Sequence, residues 1–503
     1  MNSCSGAAKL PIEIWRECWA YSSRSDLKEL VQVCRLFNQL GRVSLFSQLS
    51  FAGLEIDGLV SSPDSKANVR RLMRTAHRFQ ALKSDSRACE LRSIVQGFSF
   101  VGIKDTYYSK NGRFSQWESV HDAFEQSIEA FIALLPHLPH LRVLHLSWLN
   151  VDNDIWRTLH ELQGLNTLKL QDCRMSCDTM IRMCVETLEI TKPIREFESP
   201  WLVTLMTLET SRLKSLTLYD DCCTNALLSW LSSQRTYDHL TRLTIFVDGR
   251  HNDALFALLR LAPRLLSLCI TGWSIISHYP SSLSADIMPH LHSFEGPYFL
   301  ADLIVPGRPV TEVKAYMWSV TPRIIVGSDT LASVTVSTLS QLSTSARPVR
   351  KLTLVCLLSR LELFDAVAGY LPNLRCLDVI LDMQDVDESV EEPDMLLLPL
   401  DLTRNSLQTV GNGGLPERRS HSLQGIVRRL AVRYTPLPSH LEVLRIGYGP
   451  EVSPVVFGAD EGHCVERLAR AYPCLHEIYL GDLVWRRRGG VWTSAPCVEG
   501  LEL

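Results

Sequence analysis

From about residue 140 onward one spelling keeps returning, L-x-x-L-x-L. It reads LRVLHL from Leu141, LNTLKL from Leu165, VETLEI from Val185, LKSLTL from Leu213, LTRLTI from Leu240 and LLSLCI from Leu265. It returns as VRKLTL from Val349, LRCLDV from Leu374, LEVLRI from Leu441 and LHEIYL from Leu475, with weaker copies from Leu291, Val310 and Leu331. Between Leu144, Leu168, Leu188, Leu216, Leu243 and Leu268 the steps are 24, 20, 28, 27 and 25 residues. The spelling is that of a short strand. Its last two apolar positions alternate with polar ones and share a face, and the first stands at the turn into the strand. One such strand cannot bury its apolar face, so copies must stack and share a core.

The segments between strands read as helices, with apolar residues recurring at three and four: TNALLSWLSSQ from Thr224, NDALFALLRLAP from Asn252 and RLELFDAVAGYLP from Arg360. Pro139, Pro263, Pro372 and Pro473 stand just before strands, where proline stops a helix and favours extended chain. Period and spelling resemble leucine-rich repeats. The resemblance implies an α/β solenoid curved into an arc over residues 138–503, with an irregular insertion at about 381–440 where the pattern lapses. A doubly wound α/β enzyme also alternates strands and helices. Its buried strands would read as continuous Val/Ile runs, and its nucleotide turn as G-x-G-x-x-G, which no strand here precedes.

The N-terminal fifty residues differ in kind. Leu10 and Pro11 open LPIEIWRECWAY, with Ile14, Cys18 and Tyr21 on one helical face. Ser25 or Asp26 is placed to cap a second helix, with Glu29 completing a capping box. Val33-Cys34-Arg35-Leu36-Phe37 opens a third, which Gly41 is expected to break or kink. This layout resembles an F-box, a small all-α three-helix module, here over residues 8–50. Residues 51–137 then read as a linker with degenerate first repeats, VRRLMRT from Val69 and LRSIVQGFSF from Leu91. Ser22 departs from the F-box pattern, standing where the family usually has Leu.

The combination implies a substrate-recognition subunit of an SCF-type ubiquitin ligase, most similar to the large fungal F-box families. The F-box would dock a Skp-type adaptor, which hangs on a cullin–RING scaffold, and the repeats would hold a target protein. Adaptor contacts carry over onto Leu10, Pro11, Ile14, Leu27, Val33, Cys34 and Phe37. A different class of protein fits the same residues: a non-ligase repeat scaffold whose N-terminal helices only cap the solenoid.

In either case the variable strand positions face outward. They place Arg142, His145, Lys169, Lys214 and Arg242 on a polar, modestly basic target-binding face. No catalytic motif, zinc spacing or nucleotide loop occurs, so neither an enzyme nor a cofactor is expected. A net charge of -4 gives no reason to expect nucleic acid or membrane as partner. The 15 cysteines are scattered without C-x-x-C pairs, several at core-type positions, which fits free thiols in cytosol or nucleus.

Overall fold

The structure is a computed structural model. It describes residues 11–53, 55–56, 65–105, 118–175, 184–191, 210–219, 224–233, 236–247, 252–272, 283–316, 336–356, 361–381, 423–432, 436–448, 461–481 and 483–496. The chain divides into two compact units, residues 1–246 with 253–262 and residues 247–252 with 263–503.

The first unit opens with three helices: α1 (Ile12–Ala20), α2 (Arg24–Val33) and α3 (Arg35–Phe46). Pro11 is the N-cap of α1, in an extended conformation that feeds the helix. The cap of α2 is Ser23, two residues earlier than expected: its Oγ accepts from the Asp26 N–H while the Asp26 carboxylate accepts from the Ser23 N–H. Cys34 caps α3 through its sulfur, which accepts from the Phe37 N–H. Gly41 does not break α3. A Cβ there would lie 2.4 Å from Val31 Cγ1, so the glycine lets α2 and α3 approach closely.

Trp19, Leu27, Phe37 and Leu45 form the core of these helices. Trp15 and Trp19, one turn apart, pack on Phe37 with ring centroids at 4.8 and 5.2 Å. The face shared by Ile14, Cys18 and Tyr21 is therefore the exposed one.

Among the described residues, seven strands of the main parallel sheet follow in the first unit: β1 (Gln48–Phe51), β2 (Gly97–Val101), β3 (Val143–Ser147), β4 (Thr167–Gln171), β5 (Thr187–Thr191), β6 (Ser215–Tyr219) and β7 (Arg242–Phe246). The sheet thus begins at Gln48, ahead of the residue 138 at which the leucine pattern becomes regular. In β2, Phe98 and Phe100 stand in register with Leu144 and Leu146, so the core positions are kept but spelled with Phe. Phe51, Phe79, Phe124 and Phe131 pack around them. LRSIVQGFSF does supply a strand, after the short helix Cys89–Ile94. VRRLMRT does not: Val69 lies inside the twenty-residue helix Ser65–Ser84.

The second unit contains β8 (Ser267–Thr271), β9 (Ser293–Pro297), β10 (Glu312–Tyr316), β11 (Lys351–Cys356), β12 (Cys376–Leu381), β13 (Val443–Tyr448) and β14 (Glu477–Leu480), again parallel. The copy at Leu331 and most of the insertion (382–422) lie outside the described residues. Even so, β12 pairs directly with β13 over six residues, so the insertion leaves the ladder intact. An antiparallel hairpin follows, β15 (Leu483–Arg488) and β16 (Val491–Pro496). Gly489 and Gly490 form its two-residue turn at φ +57° and +88°.

In both units the repeat leucines are almost fully buried, from Leu144 and Leu168 to Leu377 and Leu444. Each contributes about 1.5–3 kcal/mol by leaving water. The proline before several strands has a defined role. The N–H groups of Leu141, Leu374 and Leu475 donate to Leu138, Leu371 and Tyr472 at 3.1 Å, so Pro139, Pro372 and Pro473 sit second in four-residue turns, where a fixed φ helps.

Candidate interaction faces

Parallel pairing in register turns each variable position into a row across the sheet. In the first unit the strands alternate half-buried and buried residues, with the leucines inside and the intervening side chains on the open face. The central row runs Ser99, His145, Lys169, Glu189, Thr217, Thr244. His145 and Lys169 are brought side by side, as neighbours on β3 and β4. Arg142 and Lys214 stand one residue ahead of their strands, and Arg242 opens β7; all three are exposed.

This face is less basic than its sequence suggests. Lys169 Nζ lies 2.6 Å from Glu189, and Lys214 Nζ lies 2.9 Å from Glu186, each across one strand boundary. The pairing was readable in the repeat itself, since Lys169 and Glu189 occupy the same slot of successive copies. His145 is half-buried and hydrogen-bonds Ser147 Oγ at 2.9 Å and Ser99 Oγ at 3.4 Å. Burial, and next the Lys169 charge, hold its pKa below the ordinary histidine value, against the pull of Gln171 and Glu189.

In the second unit the central row runs Glu295, Lys314, Thr353, Asp378, Arg445, Tyr479. Lys314 pairs with Glu295 at 2.9 Å. The Arg445 guanidinium lies 4.3 Å from the centre of the Tyr479 ring, a cation–π contact. Burial raises the Asp378 carboxyl pKa, although Arg445, Lys314 and Lys351 pull it down. Burial also raises the Glu477 carboxyl, but hydrogen bonds from Tyr479 and Arg486, with the charges of Arg486 and Arg445, hold it below its usual value. Arg486 is thus a strand residue paired with Glu477 at 3.0 Å. The Cys269 thiol on this face is pushed up to about 12, by burial first and then by Glu295, and is a poor nucleophile at neutral pH.

The residues that the F-box resemblance singled out divide into two groups. Leu27 and Phe37 are core residues of the three helices. Pro11, Ile14 and Val33 are exposed, Cys34 is half-buried, and Leu10 lies outside the described residues. Ile12 and Tyr21 are exposed as well, Tyr21 at 92%. The helices therefore present large apolar side chains to solvent beside a small core.

Among the described residues no group of three or more His, Cys, Asp or Glu is placed to hold a metal. Among them, too, no helix is long and apolar enough to cross a membrane.

No protein-family model matches this chain, and no curated protein matches it. Among solved structures it is similar to an internalin (inlF) from Listeria monocytogenes, at 14% identity over 63% of this chain and 90% of that one, with a TM-score of 0.25. The fold class rests on the chain's own geometry, parallel strands in register with leucines at the buried positions. That geometry is a repeat architecture in which each copy adds one strand to a shared parallel ladder.

Proposed function

We propose that this chain is the substrate-recognition subunit of an SCF-type ubiquitin ligase, with its N-terminal helices acting as an F-box that docks a Skp-type adaptor. The carrying observation is the exposed apolar set Pro11, Ile12, Ile14, Tyr21 and Val33 on a helical module ahead of a repeat sheet. Exposed apolar side chains gathered on so small a module favour a partner that covers them. The repeats then hold a target near a ubiquitin-loaded enzyme brought by the cullin–RING scaffold. The chemistry required of this chain is proximity alone, a raised effective concentration of a target lysine. Such a role belongs in the cytoplasm or nucleus and needs no cofactor.

The test is co-expression with a Skp-type adaptor, comparing wild type with Ile14→Asp and Val33→Asp. Both positions are exposed, so folding should survive while co-purification is lost. A folded wild-type chain that retains no adaptor, or variants that still retain it, would overturn the proposal.

A second reading has its own observation. The Ser47 carbonyl at the end of α3 accepts from the Gln96 and Gly97 N–H groups, and Arg42 pairs with Glu90 at 3.4 Å. The end of α3 is thus tied into the start of the sheet, as the helical cap of a non-ligase repeat scaffold would be.

A further inference from the structure

On the open face of the second unit most charges are matched, except at the start of β11. Arg350 and Lys351 are both exposed there, and among the described residues no carboxylate lies within ion-pair distance of either. The Arg375 N–H donates to the Arg350 carbonyl at 2.8 Å, so Arg350 and Arg375 head adjacent strands. Arg375 is 54% exposed and pairs with Glu442 at 3.2 Å. Adjacent strands are about 4.8 Å apart, so three cations lie within reach of one extended segment.

We propose that this cluster is a docking point for an acidic, carboxylate-rich segment of a partner protein. Charge complementarity is the ground for it. The two guanidinium forks suit planar carboxylates, and Lys351 adds a point charge beside them. Two acidic side chains on one face of an extended peptide stand about 7 Å apart, a spacing the cluster spans. A nucleic acid is a poorer fit. Glu312, in register with Lys351, and Glu442, beyond Arg375, flank the cations on either side and would repel a continuous phosphate backbone. The proposal rests on the repeats being the target-binding part of the chain, and it is independent of adaptor docking.

The experiment uses the full chain without adaptor, and a fluorescein-labelled peptide of alternating Glu and Ser, about twelve residues long. Fluorescence anisotropy is read in about 50 and 200 mM NaCl. Wild type should bind, more weakly at the higher salt. Arg350→Glu/Lys351→Glu should lose at least about tenfold in affinity. The neutral pair Arg350→Gln/Lys351→Gln should lose less, and Arg470→Glu, on the helix Glu461–Ala471, should bind as wild type does. Each variant is checked by its melting temperature. No wild-type binding at low salt, equal binding by the charge-reversed pair, or tighter binding of a thymidine oligonucleotide than of the peptide would each overturn it. Because no adaptor is present, failure here leaves the ligase reading untouched.

Discussion

The Tyr316 hydroxyl donates to the Ile270 carbonyl, filling a place in the strand ladder that Pro297 leaves empty. The β8–β9 register pairs Leu268 with Phe294 and Cys269 with Glu295. Continued by two residues it brings the donor of residue 297 to Ile270, and proline has none. The tyrosine reaches over from β10. Tyr316→Phe should therefore cost about 1–3 kcal/mol, the penalty of a buried acceptor left unpaired. In a Pro297→Ala background, where an N–H is restored, the same change should cost less. Chemical denaturation of the four proteins measures the coupling, and equal costs in both backgrounds would refute it.

What the sequence shows of this fold depends on which residue carries the signal. The repeat strands were legible because Leu at fixed slots has one physical meaning. The first two strands were harder to see, because Phe98 and Phe100 fill the leucine slots and β1 is only QLSF. LRSIVQGFSF still reads as a degenerate repeat, and treating Phe as Leu places its strand at β2. The inward face of α1 was not legible, since Ile14, Trp15, Cys18 and Trp19 make one wide apolar arc opposite Glu13, Arg16 and Glu17. Packing on Phe37 chose Trp15 and Trp19 over Ile14 and Cys18. The basic candidates were read one at a time, whereas aligning successive copies slot by slot already sets Lys169 beside Glu189.

Arg308 is fully buried and has no carboxylate partner among the described residues. Its guanidinium donates to the carbonyls of Ile287, Ile304, Pro306, Leu283 and Ser284, at 2.5 to 3.4 Å. Burial pulls its pKa down to about 10, which leaves it charged at neutral pH. Those carbonyls include the C-terminal end of the helix Tyr298–Ile304, where a cation is favoured. Arg308→Lys keeps the charge but loses the fork, and Arg308→Met strands every acceptor. Both should destabilise, Met by at least about 3 kcal/mol, as read from urea midpoints. A Met variant as stable as wild type would show that the carbonyls find other donors.

His145 should titrate below the ordinary histidine value, because burial and Lys169 both disfavour its charged form. The sign for stability follows. Between the lowered folded value and about 6.5 the unfolded chain binds more protons, so the contribution is complete above 6.5 and is lost as pH falls through that window. Lys169→Gln removes the cation and frees Glu189, and both effects move the His145 pKa upward. Titration of the imidazole by NMR in the two proteins tests this. A Lys169→Gln value at or below that of wild type would contradict it.

Gly41 sets the distance between α2 and α3. The methyl group of alanine there would meet Val31 Cγ1 at 2.4 Å, and a β-branched neighbour has little rotamer freedom to yield. Alanine also favours a helix interior over glycine by about 1 kcal/mol, so the two effects oppose each other. The clash should win in the wild-type background, because the helices must separate around the core of Trp19 and Phe37. In a Val31→Ala background the obstructing methyl is gone and the propensity gain should remain, making Gly41→Ala neutral or stabilising. Thermal melts of the four proteins read the reversal of sign directly. If Gly41→Ala had the same effect in both backgrounds, close approach would not be the reason that glycine stands in the middle of this helix.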